Sequence, residues 1–173
     1  MKRFIPLLLI LAVGCVPDAM NRTEQLMSFV PVYASKQVVS DIAVQAPKPT
    51  SAAGKIYAYG AYLFQVEQYE GIHIIDNTNP RQAKKIAFLK VPLCTEIAIR
   101  NNHLYTNNLN DLLVFNLDNT TAPQLVKRLG GVFPAVNQTY PPQSGVYFEC
   151  VDPAKGIVVR WEQKRISNPA CRR

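Results

Sequence analysis

The chain has 173 residues, of which 48% are hydrophobic, 18% charged and 9% aromatic, and its formal net charge is +7. This composition excludes an intrinsically disordered chain, which would have fewer apolar residues and more charge. Four cysteines are too few for a small disulfide scaffold, and the length predicts one domain with its own core. The positive charge suggests nucleic-acid binding, but the features below argue against it.

Residues 1–14 have the layout of a secretory signal peptide. Lys2 and Arg3 form a basic start, a short apolar run follows, and the small residue Gly14 precedes Cys15. The apolar run is shorter than the about 20 residues that a membrane-spanning helix needs. We therefore predict a cleaved signal over residues 1–14.

The residues at the predicted cleavage site, LAVGC at 11–15, resemble a bacterial lipobox. In that family the signal is cut just before the cysteine, whose thiol receives a diacylglycerol, so Cys15 is the predicted site of lipid attachment. Loss of Lys2 and Arg3 with the signal would lower the formal net charge from +7 to +5 and leave 159 residues. The alternative is an ordinary secretory signal in which Cys15 stays unmodified.

The lipobox resemblance implies an outer-membrane location. Val16 follows the cysteine, and the aspartate that retains Gram-negative lipoproteins in the inner membrane is missing. Several acyl chains on one cysteine anchor far more firmly than one myristoyl chain, whose membrane binding is marginal. We expect a tether over residues 15–28 and a single β-repeat domain over 29–173, facing either the periplasm or the cell surface.

The first part of that domain gives mixed predictions. Residues 29–34 fit a short strand or an extended segment, broken by Pro31, and residues 38–44 fit either a helix or a strand. Pro47 and Pro49 predict a loop, because each restrains the preceding residue to extended geometry.

From residue 54 the chain alternates short β-rich runs with turn residues. Clusters of Gly, Asn and Pro separate four predicted strands, at 55–59, 62–66, 72–76 and 85–89. The same order recurs later, at 97–99, 104–105, 111–116 and 126–129. Four short strands with a period of about 40 residues are typical of propeller blades. The sequence therefore predicts an all-β fold, an antiparallel meander of two blade-like repeats at about 54–92 and 93–134.

Residues 71–80, GIHIIDNTNP, resemble the LVIVD repeat, a propeller-type repeat with an apolar strand, then Asp, then Asn-Pro. The matching positions are Gly71, Ile72, Ile74, Asp76, Asn79 and Pro80. The second copy departs from the repeat, because Asn116 replaces the aspartate and the turn is longer. Most of residues 29–173 resemble short lipoproteins of Bacteroidota with such repeats, which implies a cell-envelope location and no established activity.

Two blades are fewer than the roughly four to eight that usually close a propeller. We therefore expect a partial or open propeller, either packed on its own flanking segments or completed by oligomerisation. Open edge strands invite aggregation, so the flanks 31–44 and 146–162 are expected to cover them.

Three cysteines remain after lipidation, Cys94, Cys150 and Cys171, so three pairings are open. An envelope location permits disulfides. Cys150 and Cys171 bracket the last predicted strand pair, which favours a disulfide between them, worth about 3 kcal/mol in the chain-entropy model. Cys94 is expected to be a buried free thiol.

Catalytic and metal-binding motifs are lacking in the sequence. His73 lies mid-strand and is expected to point to solvent or to bond a neighbour, and His103 is expected to be exposed beside a turn. Neither has a Ser or Cys partner at a recognisable spacing. The acidic-amide turns at 76–79 and 107–111 lack the calcium-loop pattern and indicate Asx turns. We expect no metal, no cofactor and no catalytic residue.

Basic and aromatic residues are the remaining candidates for binding. The basic residues form two groups: Arg160, Lys164, Arg165, Arg172 and Arg173 near Trp161, and Arg81, Lys84 and Lys85. An envelope protein rarely meets nucleic acid, so we favour a solvated surface or contact with anionic lipid or polysaccharide. The best candidates for an exposed binding edge are Tyr57, Tyr59, Tyr62 and Tyr69.

The sequence thus predicts an outer-membrane-anchored lipoprotein with a non-catalytic β-repeat domain that binds or scaffolds. Its expected partners are the membrane, through the lipid anchor, and an envelope protein or glycan; nucleic acid is not among them. One alternative is an envelope enzyme or its accessory subunit, in which a cleft would hold converging carboxylates with a perturbed pKa. The other is a glycan-binding module, which would present a flat row of exposed aromatic rings.

Overall fold

The computed structural model describes residues 25–173, and they form an almost entirely β structure. The all-β prediction is therefore confirmed. Among these residues no helix is long and apolar enough to cross a bilayer. The predicted signal peptide and Cys15 lie outside the described residues, as does the predicted tether up to residue 24. From Gln25 the predicted tether is already part of a strand.

The elements follow one another with short connections. The strands are β1 (Gln25–Ala34), β2 (Ala43–Gln45), β3 (Ala53–Tyr59), β4 (Tyr62–Glu67), β5 (Gly71–Asp76), β6 (Lys84–Lys90), β7 (Ile97–Arg100), β8 (His103–Asn108), β9 (Asp111–Asn116), β10 (Gln124–Leu129), β11 (Tyr147–Phe148), β12 (Ile157–Ser167) and β13 (Cys171–Arg172). One short helix, α1 (Lys36–Ser40), follows β1, and single 3-10 turns occur at Pro80–Gln82 and Pro153–Lys155.

Each predicted repeat forms its own antiparallel sheet. The first sheet has the order β2-β6-β5-β4-β3 and the second β10-β9-β8-β7. Within each repeat the four strands follow the chain from one edge of the meander to the other. The blade-like meander predicted from the strand and turn pattern is therefore confirmed.

The core lies between these two sheets, where apolar side chains from alternate strand positions meet. The first sheet contributes Phe64 and Ile74, and the second contributes Leu104 and Phe115. The innermost strands, β3 and β7, lie next to each other. The two repeats thus pack face to face, as neighbouring blades of an open propeller do.

Two tyrosine hydroxyls also join the repeats. The Tyr57 hydroxyl donates to the carbonyl of Ile99 at 2.9 Å. The N–H of Asn102 donates to the Tyr59 hydroxyl at 3.1 Å. Both tyrosines lie on β3, so this strand fixes the position of the second repeat on the first.

The flanking segments behave differently from each other. Residues 38–44, which fitted either a helix or a strand, contain the end of α1 and the start of β2, and β2 covers the outer edge of β6. The expectation that 146–162 covers an edge of the repeats is wrong, because β11, β12 and β13 form a third sheet with β1. Among residues 25–173 no strand pairs with the outer edge of β10, and every residue of β10 is exposed.

Pro31 does not break β1, contrary to the prediction. The third sheet has the order β12-β1-β11-β13, and β1 pairs with β12 over its whole length. The carbonyl of Phe29 accepts a hydrogen bond from the N–H of Glu149, on the β11 side of β1. Backbone groups two residues apart on a strand point to the same side, so the backbone nitrogen of Pro31 also points away from β12. β11 meets β1 only at Phe29. The N–H that proline lacks is therefore not needed for either ladder.

Candidate functional site

The apolar residues of the repeat motif build the core. Ile72 and Ile74 have no exposed surface and lie between the sheets. Gly71 opens β5, where an added Cβ would overlap the Leu89 carbonyl and lie 2.6 Å from the Phe88 ring. These positions are fixed by packing, so they are structural and do not form a binding site.

The polar residues of the motif form the turn after β5. The Asp76 carboxylate accepts from the N–H of Thr78 at 2.9 Å and from its hydroxyl at 2.7 Å, bonds that lower the pKa of Asp76. The Asn79 side chain accepts from the N–H of Arg81 at 3.2 Å and caps the 3-10 turn that begins at Pro80. The Asx-turn prediction is confirmed at 76–79. At 107–111 it is wrong, because the Asn and Asp side chains there bond residues of other segments.

A buried acid–base pair, which the sequence analysis did not identify, lies on β4 and β5. The Nε2 atom of His73 lies 2.8 Å from Glu67 Oε2, and neither side chain has exposed surface. The hydroxyl of Thr50 lies 3.4 Å from the same nitrogen. Of the two expectations for His73, the structure shows the bond to a neighbour and excludes solvent contact.

The second oxygen of Glu67 holds the chain just before β3. Glu67 Oε1 accepts from the N–H of Ser51 at 2.9 Å, from the Ser51 hydroxyl at 2.8 Å and from the N–H of Ala52. Burial raises the pKa of Glu67, but the bonds from Ala52, His73 and Ser51 outweigh it and bring this pKa to about 2. Glu67 is therefore ionised at neutral pH.

His73 is neutral in this setting. Burial lowers its pKa, the bond to Glu67 opposes this shift, and the charges of Lys85 and Lys48 add to the lowering. A neutral imidazole then donates from Nε2 to Glu67. Its Nδ1 atom is buried and has no partner among the described residues, and the ring packs against Phe88 at 5.0 Å between centroids.

The second repeat contains a counterpart of Glu67. Asn107 lies 40 residues further on, at a buried position near the end of β8. Its Oδ1 accepts from the N–H groups of Thr95 at 2.9 Å and Glu96 at 3.0 Å, just before β7. Both repeats therefore use a side-chain oxygen to fix the entry of the inner strand. The 40-residue spacing, which equals the repeat period, is the signal in the sequence that could have identified Glu67.

Three of the four tyrosines predicted to form an exposed edge do not. Tyr57, Tyr59 and Tyr62 are half-buried against the core, so that prediction is wrong for them. The hydroxyls of Tyr57 and Tyr59 are bonded to the second repeat. Tyr69 is 63% exposed.

Tyr69 borders a cavity of about 590 Å³ at the junction of the repeats with β12. We call it the junction cavity and define it by the residues Tyr69, Leu93, Leu109, Val136 and Val159. They come from the β4–β5 turn, the link from β6 to β7, the β8–β9 turn, the segment after β10, and β12. The sequence analysis did not predict this cavity, because five separate segments form it.

The backbone around the junction cavity is unusual. Tyr69, Leu93 and Leu109 have φ values of 66°, 63° and 55°, in the left-handed region that larger residues rarely adopt. The N–H of Leu93 donates to the Tyr69 carbonyl at 2.7 Å, which helps to hold two of them. Val159 has no partner on β1, because the β1–β12 register shifts there. Such strain and bulges concentrate at binding sites.

The predicted basic groups lie apart. Arg160 borders the junction cavity and also a second cavity of about 310 Å³ that reaches Trp161. Lys164 pairs with Glu162, as Arg160 does. Lys85, from the other basic group, donates to the Lys48 carbonyl at 3.1 Å beside the outer face of the first repeat.

The cysteines are arranged as the sequence analysis favoured. Cys150 and Cys171 form a disulfide, with Cα atoms 5.2 Å apart, that ties β13 to the end of β11. Cys94 is a free, buried thiol, and burial raises its pKa to about 12. His103 is half-buried, and its Nδ1 lies 2.7 Å from the Asn101 carbonyl. Within residues 25–173 no three His, Cys, Asp or Glu side chains form a group suited to a metal ion.

Comparison of the chain with protein-family models, with curated proteins and with solved structures found no match. The resemblance to LVIVD-repeat lipoproteins therefore stays a prediction based on the residues quoted above.

Proposed function

We propose that this chain is an outer-membrane lipoprotein whose β-repeat domain binds a ligand in the junction cavity without catalysis. The cavity carries the proposal. Its volume of about 590 Å³ lies within the roughly 300–1,000 Å³ of small-molecule sites, which are mostly apolar with a few polar groups. Leu93, Leu109, Val136 and Val159 supply the apolar wall, and Arg160 supplies a charge.

The buried pair Glu67–His73 does not favour an enzyme. A general base must reach the proton that it removes, whereas neither side chain has exposed surface. The Thr50 hydroxyl lies 3.4 Å from His73 Nε2, but this nitrogen already donates to Glu67, and the Ser51 hydroxyl donates to Glu67 as well. The relay from nucleophile to base is therefore not formed. The matching role of Asn107 supports a structural role for Glu67.

The glycan-binding alternative is also less well supported. A sugar platform requires aromatic rings that lie open side by side. Tyr57, Tyr59 and Tyr62 are half-buried against the core, which leaves Tyr69 alone of the four candidates.

The lipobox-like run at 11–15 supports the lipid anchor, which cells expressing the full chain can test. With radiolabelled palmitate, the parent chain should carry label and sediment with outer membranes. Cys15→Ser should lose the label and become soluble, whereas Cys94→Ser, which changes a buried thiol, should keep both properties. Label on Cys15→Ser would contradict lipid attachment at this residue.

Binding in the junction cavity can be tested separately. The full chain carrying Cys15→Ser is incubated with an envelope extract and analysed by native mass spectrometry. We expect a small-molecule adduct that is lost in Val136→Trp, which fills the cavity, and kept in Val132→Trp. The same adduct on both variants would contradict binding at this site. A protein-dependent new mass in the extract would instead favour the enzyme alternative.

A further inference from the structure

Among the described residues, the polar side chains on the wall of the junction cavity are paired, except the exposed Tyr69 hydroxyl and one nitrogen of Arg160. The Oδ1 atom of Asn107 accepts hydrogen bonds from the N–H groups of Thr95 and Glu96, and its Nδ2 donates to the Leu93 carbonyl at 3.2 Å. Arg160 contacts Glu162 through Nε at 2.8 Å and Nη2 at 2.7 Å. Among the described residues nothing accepts a bond from its Nη1. Arg160 is therefore the charged group on this wall that can still bind a polar atom of a ligand.

The charge at the mouth of the cavity is positive. Glu162 serves two cations, Arg160 and Lys164, and their bonds lower its pKa, so it stays ionised. The single negative charge of Glu162 balances only one of the positive charges of Arg160 and Lys164. A ligand that places a negative group at Arg160 would complete this arrangement.

The rest of the cavity is suited to an apolar body. Leu93, Leu109, Val136 and Val159 line it, and the adjoining cavity continues it past Arg160 toward Trp161. The left-handed residues Tyr69, Leu93 and Leu109 are held in place by the fold before any ligand arrives, which reduces the entropy lost on binding.

We propose that the junction cavity binds an amphipathic monoanion, with its carboxylate at Arg160 and its alkyl chain against Leu93, Leu109, Val136 and Val159. This inference rests on the proposed function, since it names the ligand class of the same cavity. It selects an anion with a long apolar body over a neutral or cationic molecule of the same length.

Three ligands that share a ten-carbon chain test this selection: decanoate, decanol and decyltrimethylammonium. The full chain carrying Cys15→Ser is titrated below the micelle concentration of each. Calorimetry gives the affinity, and the fluorescence of Trp161, the single tryptophan, reports the adjoining cavity. Decanoate should bind with one site per chain and at least about tenfold more tightly than decanol, because a charge-assisted hydrogen bond is lost in the alcohol. The ammonium compound should not bind.

Two matched pairs of variants locate the site, and thermal unfolding shows that each variant is folded. Arg160→Gln should weaken decanoate binding by about tenfold or more and leave decanol binding unchanged. Arg165→Gln, on the same strand but outside the cavity wall, should have little effect. Val136→Trp should abolish binding of decanoate, whereas Val132→Trp should preserve it.

The outcomes separate this inference from the proposed function. Equal binding of decanoate and decanol, lost in Val136→Trp but unchanged in Arg160→Gln, would overturn the choice of an anion and leave the cavity as a binding site. Undiminished decanoate binding to Val136→Trp would overturn the cavity as the site. Failure of all three ligands to bind would overturn the ligand class, while the extract experiment still decides the proposed function.

Discussion

Glu67 and Asn107 lie 40 residues apart, and each accepts hydrogen bonds from two successive backbone N–H groups before the inner strand of its own repeat. Glu67→Ala and Asn107→Ala should each lower the free energy of unfolding by roughly 2–4 kcal/mol, because each change removes a buried acceptor together with all of its hydrogen bonds. Urea unfolding measures both. Glu96→Ala, which removes an exposed ion pair with Lys55, should change it by less than about 0.5 kcal/mol. Equal effects of Glu67→Ala and Glu96→Ala would contradict the structural role.

Acid should destabilise the fold in two stages, because Glu67 and His73 both have a pKa below its ordinary value in the folded chain. As pH falls below 6.5, the ordinary pKa of His73, the unfolded chain takes up a proton that the folded chain resists. As pH falls from 4.5 to about 2, the same holds for Glu67. The free energy of unfolding therefore decreases with decreasing pH through each window.

His73→Gln isolates the first stage. Glutamine can still donate to Glu67 but does not titrate, so the decrease that begins near pH 6.5 should vanish while the decrease below 4.5 persists. Urea unfolding at intervals from pH 8 to pH 3 measures both. An identical pH profile for the parent and His73→Gln would show that His73 does not carry the first stage.

The hydroxyls of Tyr57 and Tyr59 should stabilise the contact between the repeats. Tyr57→Phe and Tyr59→Phe each remove one hydrogen bond between the repeats, and each should lower the free energy of unfolding by about 1 kcal/mol. Tyr69→Phe is the control, because this ring is 63% exposed and its loss of a hydroxyl should have almost no effect. If Tyr69→Phe lowered the free energy of unfolding as much as the other two changes, these hydrogen bonds would not stabilise the contact between the repeats.

Gly71 should not tolerate a side chain. Gly71→Ala places a methyl group against the Leu89 backbone and the Phe88 ring, so β5 and β6 must move apart, at a cost of roughly 2–4 kcal/mol. Gly130→Ala is the matched control, since its Cβ would meet only the Asp111 carboxylate at 3.7 Å. Thermal unfolding compares the two, and equal midpoints would refute the packing argument.

The three cysteines of the described chain should differ in reactivity. Native alkylation should modify none of them, because Cys150 and Cys171 are joined and the buried Cys94 thiol has its pKa raised to about 12. Unfolding without reductant should expose one thiol, that of Cys94, to intact-mass analysis of the Cys15→Ser chain. Three modified thiols would contradict the disulfide. Cys171→Ser should lower the free energy of unfolding by about 3 kcal/mol in the chain-entropy model.

The repeats could be predicted because their pattern is local. Each β-rich run ends at its own turn, where the side chains of Asp76 and Asn79 bond backbone N–H groups two residues away. The third sheet could not be predicted in this way, since the partner of β1 lies near the other end of the chain. Pro31 also favoured the wrong prediction, because a proline fits within β1 only since β11 pairs with β1 no further than Phe29.

The candidate site was less predictable than the fold. The sequence identified Arg160 as one of a basic group and Tyr69 as an aromatic candidate, but no sequence pattern placed the two residues at one site. Leu93, Leu109 and Val159 have the composition of ordinary core residues, and only their backbone geometry sets them apart. A cavity formed by several distant segments is a property of packing, which residue patterns along one segment do not encode.

The pairing of β1 with β12 also sets an order for folding. Gln25 pairs with Ser167, 142 positions later, whereas the β4–β5 and β8–β9 hairpins join residues at most 14 positions apart. Closing such a long loop loses more conformational entropy than closing a local hairpin, and non-local pairing slows folding. During synthesis, which begins at the amino terminus, both repeats can therefore fold before β12 is made, and β1 stays unpaired until then.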